Sequence, residues 1–182
     1  MLKYLRILTL TCLLAPLPAL AEIDVDGGTL NPDEMSLQKS VKRAQNGDVN
    51  MMICAQGYVM TKKGSHSDAR TVFEECARQG WTAAMTWMSY MDDNGFGEGY
   101  DPDAAAVWDK RAADAGDPIG EFNYGLSLLR GHGVDQDLDA GKRYVDQAAQ
   151  NGLKIAQELQ AAEYNPSAVT PDADEWKYKP NY

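Results

Sequence analysis

The sequence predicts an all-α fold: a solenoid of antiparallel helix pairs, with three repeats and a half-repeat helix at each end. The first observation is an internal repeat. Residues 117–152 copy residues 81–116 at an offset of 36 without a gap, so that Gly131, Gly133, Asp137, Tyr144, Ala148, Ala149 and Gly152 fall on Gly95, Gly97, Asp101, Trp108, Ala112, Ala113 and Gly116. The second is a shorter copy at 48–80, where Cys76, Ala77 and Gly80 take the Ala-Ala and Gly places. The third is the length of the period. Periods in the thirties mark helical hairpins, which bury their apolar faces only by stacking on one another.

Each element has its own local signal. Residues 1–21 read as a signal peptide: Lys3 and Arg6, an apolar run over 7–15, then Pro16, Pro18 and Ala19-Leu20-Ala21. The apolar run is shorter than the roughly 20 residues that a membrane span needs. Thr11 before Cys12 does not fit a lipoprotein signal. The expectation is cleavage after Ala21 and export without stable membrane insertion, to a periplasm or, alternatively, out of the cell. Residues 22–30, with Gly27-Gly28, read as a flexible leader. A capping helix follows over 31–47, with Asn31 as N-cap, Pro32 in the first turn, and Met35, Leu37, Val41 and Ala44 toward the stack.

Repeat 1 (48–80) is expected as helices over 49–61 and 68–79 joined by a loop at 62–67. Repeat 2 (81–116) turns through 92–101, and its second helix opens at Asp101-Pro102, where the aspartate oxygen caps orphan N–H groups. Repeat 3 (117–152) starts at Pro118 and turns through 130–137. Each second helix stops at a glycine able to take the left-handed conformation. A last helix is expected over 153–164. Residues 165–182 are broken by Pro166, Pro171 and Pro180 and read as an irregular tail, either disordered or docked through Trp176, Tyr178 and Tyr182. Ala112-Ala113 and Ala148-Ala149 let helices approach closely, while Trp87, Trp108 and Tyr144 are expected to fill the grooves between hairpins as core.

Composition narrows the function classes. The formal charge of the 182-residue chain is −10, and loss of Lys3 and Arg6 with the signal would take it to −12. Nucleic-acid binding rewards clustered Lys and Arg, so that class is excluded, as is docking on anionic lipid. An acidic surface fits basic partners, or simply solubility.

No catalytic or cofactor motif stands out: there is no G-x-S-x-G, no phosphate loop and no clear carboxylate dyad. The run Asp92-Asp93-Asn94-Gly95-Phe96 invites a calcium reading, but Phe96 takes the fifth ligand place and offers no side-chain oxygen. His66 and His132 fall in different loops without a second ligand at metal spacing, and Ser65-His66 lacks a third orienting group. No metal, cofactor or enzyme activity is expected.

After signal removal two cysteines remain, Cys54 and Cys76, equidistant from residue 65 in the first loop. Residues equidistant from the turn of an antiparallel hairpin lie level, so the pair is expected to face across it. Export permits a disulfide, and closing a loop of about 20 residues contributes on the order of 3 kcal/mol. Two buried thiols are the alternative.

Tyr124-Gly125, Gly131-His132-Gly133-Val134, Asp137, Tyr144, Ala148-Ala149 and Gly152 resemble the Sel-one-like repeat, a class of tetratricopeptide-type repeat. The resemblance covers about residues 48–152 and weakens toward the N-terminus. The second copy has Met88-Ser89 in place of Leu-Gly, and the first has Ala55-Gln56 there with a single loop glycine, Gly64. The resemblance implies a right-handed superhelix whose first helices line a concave face, and members that mostly bind other proteins. Secreted cysteine-rich relatives also staple their hairpins with disulfides.

Matched residue by residue, the concave places are Thr86, Tyr90, Asp93 and Asn94 in the second repeat. In the third they are Phe122, Leu126, Leu129 and Arg130, and in the first Asn50, Ile53, Gly57, Met60 and Thr61. Tyr90, Phe122 and Arg130 are the expected anchors for a protein or peptide partner, since Tyr and Arg often carry binding energy; Phe122, Leu126 and Leu129 fit the core equally well. A binder of cell-wall fragments or another small ligand is the alternative, and a hydrolase acting on such material the second.

Overall fold

The computed structural model describes residues 36–169. Among them are eight helices and no strand. They are α1 (Leu37–Gln45), α2 (Met51–Lys62), α3 (His66–Arg78), α4 (Thr82–Asn94), α5 (Pro102–Asp114), α6 (Pro118–Arg130), α7 (Leu138–Gln150) and α8 (Lys154–Ala161). Helices α2/α3, α4/α5 and α6/α7 form three hairpins. Each helix packs on its neighbours in sequence, α1 also lies against α3, and α4 reaches α6. The expected signal peptide and leader, the cap at Asn31-Pro32, and Trp176, Tyr178 and Tyr182 lie outside the described residues.

Helix starts follow side-chain chemistry. Asp101 and Asp137 cap α5 and α7 by accepting from the N–H groups of Ala104 and Ala140, at 3.0 and 2.9 Å. Asp117 caps α6 through Ile119 and Gly120, and Asn50 caps α2 through Ile53. Removing such a cap costs about 1 kcal/mol.

Several boundaries differ from the sequence expectation. Helix α1 starts at Leu37 behind a Ser36 cap. Helix α3 starts at His66, two residues early, so the first loop shrinks to a tight turn. Helix α4 runs on to Asn94 and ends at Gly95, with φ +66°. Asp93 and Asn94 therefore project from a last helical turn, in fixed directions, and not from a loop.

The core divides into two clusters. One joins α1 and the first two hairpins around Ile53, Met60, Phe73, Met88 and Met91. The other joins α6, α7 and α8 around Phe122, Leu126, Val145 and Leu159. Small residues let the hairpins meet. A Cβ added at Gly120 would lie 2.5 Å from Ala112 Cβ and 2.7 Å from Ala113 N, so α6 rests directly on the Ala112-Ala113 step of α5.

Trp87, Trp108 and Tyr144 are half-buried, and Trp87 and Trp108 pack against the first core cluster. Trp108 also lies under the Arg111 guanidinium, 4.4 Å from the ring centre. A Trp spreads wide enough to cover a groove and still show one face to solvent.

The loop glycines set the register between hairpins. Gly133 has φ +67°, and an added Cβ would come within 2.0 Å of the Pro102 carbonyl oxygen at the start of α5. One repeat earlier, Gly97 (φ +81°) lies over the His66 carbonyl at the start of α3, at 3.1 Å. The loops of the second and third hairpins thus seat on the first turn of the preceding hairpin's second helix.

Cys54 on α2 and Cys76 on α3 form a disulfide with their Cα atoms 6.0 Å apart. Arg70 of α3 reaches across to α4, pairing with Asp92 at 2.7 Å and with Glu98 at 3.2 Å. Burial pushes the Asp92 carboxyl above its ordinary range and the Arg70 guanidinium opposes that shift. Past α8, Val169 packs into the second core cluster.

Two outcomes are expected. Gly133→Ala costs more than about 2 kcal/mol in urea unfolding, because it combines a positive φ with a backbone clash, whereas Gly99→Ala, with open space around its Cα, stays within about 0.5 kcal/mol. Alkylation of the unreduced protein labels neither Cys54 nor Cys76, and the double Cys→Ala variant loses about 3 kcal/mol.

Candidate functional site

The described residues line a cavity of about 340 Å³ between the second and third hairpins, with walls from α4, α5 and α6. Helix α4 supplies Thr86, Trp87, Ser89, Tyr90, Asp93 and Asn94. Asp109 comes from α5, Ile119 and Asn123 come from α6, and Lys62 and His132 stand at the two ends. The spacing Thr86, Tyr90, Asp93 follows helical periodicity, so one face of α4 forms the wall. Four of the residues expected at the site, Thr86, Tyr90, Asp93 and Asn94, therefore line one cavity.

The other expected residues lie elsewhere. Phe122 is 0% exposed and fills the second core cluster with Leu126 and Leu129. Helix α6 packs on both α5 and α7, so the position turns inward. In the first hairpin Ile53, Gly57, Met60 and Thr61 are buried too. A Cβ on Gly57 would meet the Phe73 ring at 2.6 Å, and Asn50 is spent as the α2 cap. The Arg130 guanidinium donates to the carbonyls of Pro166 and Val169, at 2.7 and 2.9 Å. It holds the chain beyond α8 in place and does not line the cavity.

An aromatic run floors the approach to the cavity. Trp87 stacks on Phe73 with ring centres 5.6 Å apart and meets Tyr58 and Tyr90 edge to face at 5.4 and 5.3 Å. Trp87 also borders a second cavity of about 180 Å³, lined by Met51, Ala55, Tyr58 and Trp81 beside the disulfide. Lys62 places its ammonium 5.3 Å from the Tyr58 ring centre. At the opposite rim His132 and Asp93 are hydrogen-bonded at 2.6 Å, joining the second and third hairpins.

Asp109 is the residue that the motif search misses. It is 5% exposed; the Ser89 hydroxyl donates to it at 2.7 Å and the Asn123 amide at 3.3 Å. Burial pushes its carboxyl up to about 7, and the negative charges of Asp93 and Asp117 add to the rise against the two hydrogen bonds. The repeat register carried a signal. Asp109 occupies the place of Phe73 and Val145, both apolar core, and Ser89 the place of Gly125. In the third hairpin a Cβ on Gly125 would touch Val145 at 3.0 Å. The second hairpin has exchanged that apolar contact for a hydrogen-bonded polar pair.

The folded protein holds the Asp109 proton more tightly than the unfolded chain does. Its contribution to stability is present below the unfolded value of 3.8 and is lost as pH rises through about 7. Asp109→Asn keeps the shape without the charge. It is expected to raise stability at pH 8 by about 1–4 kcal/mol, to change it little at pH 4, and to flatten the fall between them in pH-dependent urea unfolding.

No family model and no curated protein matches the chain. Solved structures do. The chain is similar to a Sel1 repeat protein from Oxalobacter formigenes at 25% identity and a TM-score of 0.59, over 69% of this chain and 97% of that one. It is also similar in fold to c5321, a protective antigen of uropathogenic Escherichia coli strains displaying an SLR fold. That match has 19% identity and a TM-score of 0.50; it covers 73% of this chain and 34% of the antigen, so the chain spans about a third of that protein's length. The 36-residue repeat, the glycine-seated hairpins and these likenesses give the chain the fold of Sel1-like repeat proteins and support its resemblance to that family.

Proposed function

We propose that the protein is an exported interaction scaffold that binds a protein or peptide partner along its concave face. The observation that carries this reading is the continuity of that face. Two cavities share Trp87 and extend over all three hairpins, one apolar and one polar. Met51 and Tyr58 at the apolar end are 70% and 46% exposed. An extended segment laid across the hairpins would anchor an apolar side chain there and fill the polar cavity further along. A few apolar anchors with polar neighbours is how interfaces are commonly built. In this reading the work is shape and contact, and no bond is made or broken.

Export rests on the charged-then-apolar start with Ala19-Leu20-Ala21, which would be cleaved after Ala21, and it accords with the Cys54–Cys76 disulfide. The periplasm is the compartment we favour over release from the cell. A second reading has one observation behind it: about 340 Å³ falls within the range of small-molecule sites, which suits a cell-wall fragment or another small ligand.

Crosslinking capture from the native exported fraction distinguishes them. The baits are the exported protein with its disulfide intact and two variants with unchanged unfolding midpoints, Thr86→Arg, which fills the cavity, and Tyr90→Ala. One protein captured by the wild type and reduced at least tenfold with both variants is the expected result. Equal capture by all three baits overturns the assignment of the face. No enriched protein, together with a rise in melting temperature on adding cell-wall fragments, favours the small-ligand reading.

A further inference from the structure

Resting on the scaffold reading, we propose that the cavity between the second and third hairpins receives a basic side chain of the partner, lysine or arginine, with Asp109 as its counter-charge. Asp109 takes a place that is apolar core in the neighbouring hairpins, yet it borders the cavity. Its hydrogen-bond donors, Ser89 and Asn123, are both neutral, and among the described residues no cation pairs with it. Ionised, it is a buried carboxylate lacking the positive partner that such a group requires.

A second, independent observation points the same way. The Oδ1 atoms of Asn94 and Asn123 are buried without a hydrogen-bond partner, and both side chains line this cavity. The same cavity thus holds two acceptors without donors and, at Asp109, a hydrogen-bonded carboxyl without a counter-charge. A lysine ammonium carries three donors and an arginine guanidinium five, and neither carries an acceptor.

The surroundings suit a long cationic side chain. Trp87 and Tyr90 offer aromatic surface for its stem and for cation–π contact. Asp93 and Asp117 add to the negative potential felt at Asp109, and the chain as a whole carries −10. The basic groups already at the cavity are engaged at its ends, Lys62 with the Tyr58 ring and His132 with Asp93. Sugar hydroxyls would also donate to these acceptors, but they bring no charge to offset the carboxylate.

The test is a titration at pH 8 of the full chain, ¹⁵N-labelled and purified through export with its disulfide intact. The probes are Ac-Gly-Arg-Gly-NH₂, Ac-Gly-Lys-Gly-NH₂, the neutral isostere Ac-Gly-citrulline-Gly-NH₂, and the N-acetylglucosamine disaccharide. The expected result is movement of the Trp87 indole N–H and the Asn94 and Asn123 side-chain amides by a basic peptide. That peptide binds at least tenfold more tightly than the citrulline peptide, and Asp109→Asn abolishes the preference. Equal binding of the citrulline peptide, a preference that persists in Asp109→Asn, or movement of those signals by the disaccharide alone overturns the proposal. If Asp109→Asn still captures the partner that Thr86→Arg loses, the cation pocket is wrong and the scaffold stands. Failure of the wild type to capture any protein removes the scaffold reading instead.

Discussion

The loops of the second and third hairpins rest on the first turn of the preceding hairpin's second helix, and the register of the stack depends on that contact. Gly133 lies over the Pro102 carbonyl and Gly97 over the His66 carbonyl, and both glycines hold a positive φ. Side chains larger than hydrogen would lift the loop and tilt the hairpin. With the loop seated, Gly120 meets Ala112 and Ala113, and α6 lies on α5 at backbone distance. That closeness brings Asn123 of the third hairpin to Asp109 of the second, and His132 to Asp93. The candidate site is thus a consequence of how tightly two hairpins approach.

The site lies where the repeat departs from itself. In the third hairpin Gly125 and Gly141 bring α6 and α7 together, with Val145 filling the remaining space. In the second, Ser89 and Asp109 stand at the Gly125 and Val145 places, and in the first Gln56 at the Ser89 place is hydrogen-bonded to Ser40 of α1. One position in the stack therefore serves helix contact, a buried acid or a link to the cap. A carboxyl group there is held at a cost to stability, since burial disfavours its charged form. Natural proteins place such costs at sites with a use.

The first hairpin departs furthest from the repeat pattern and gains stability by other means. Its loop has shortened to a turn, and the Cys54–Cys76 disulfide ties the pair covalently. Ion pairs from Arg70 to Asp92 and Glu98 fasten it to the second hairpin. At the other end Arg130 and Val169 hold the chain that follows α8, so the last hairpin is covered and its core cluster closed.

The sequence by itself determined the architecture, because a repeat period, capping aspartates and helix-ending glycines are local signals that hold whatever the neighbours do. It also brought Thr86, Tyr90, Asp93 and Asn94 together, since helical spacing alone puts them on one face of α4. Only the tertiary structure decided which of the remaining face positions are open. Phe122 and Arg130 share the register of Thr86 and Asn94 and are matched with them, but α6 is covered on two sides and the chain past α8 returns to Arg130. Burial and pairing are properties of the whole stack and leave no mark on the local pattern. Asp109 is the intermediate case. Its residue type contradicts its repeat position, which is visible in the sequence, but whether that contradiction was a surface drift or a buried acid depended on the distance between two hairpins.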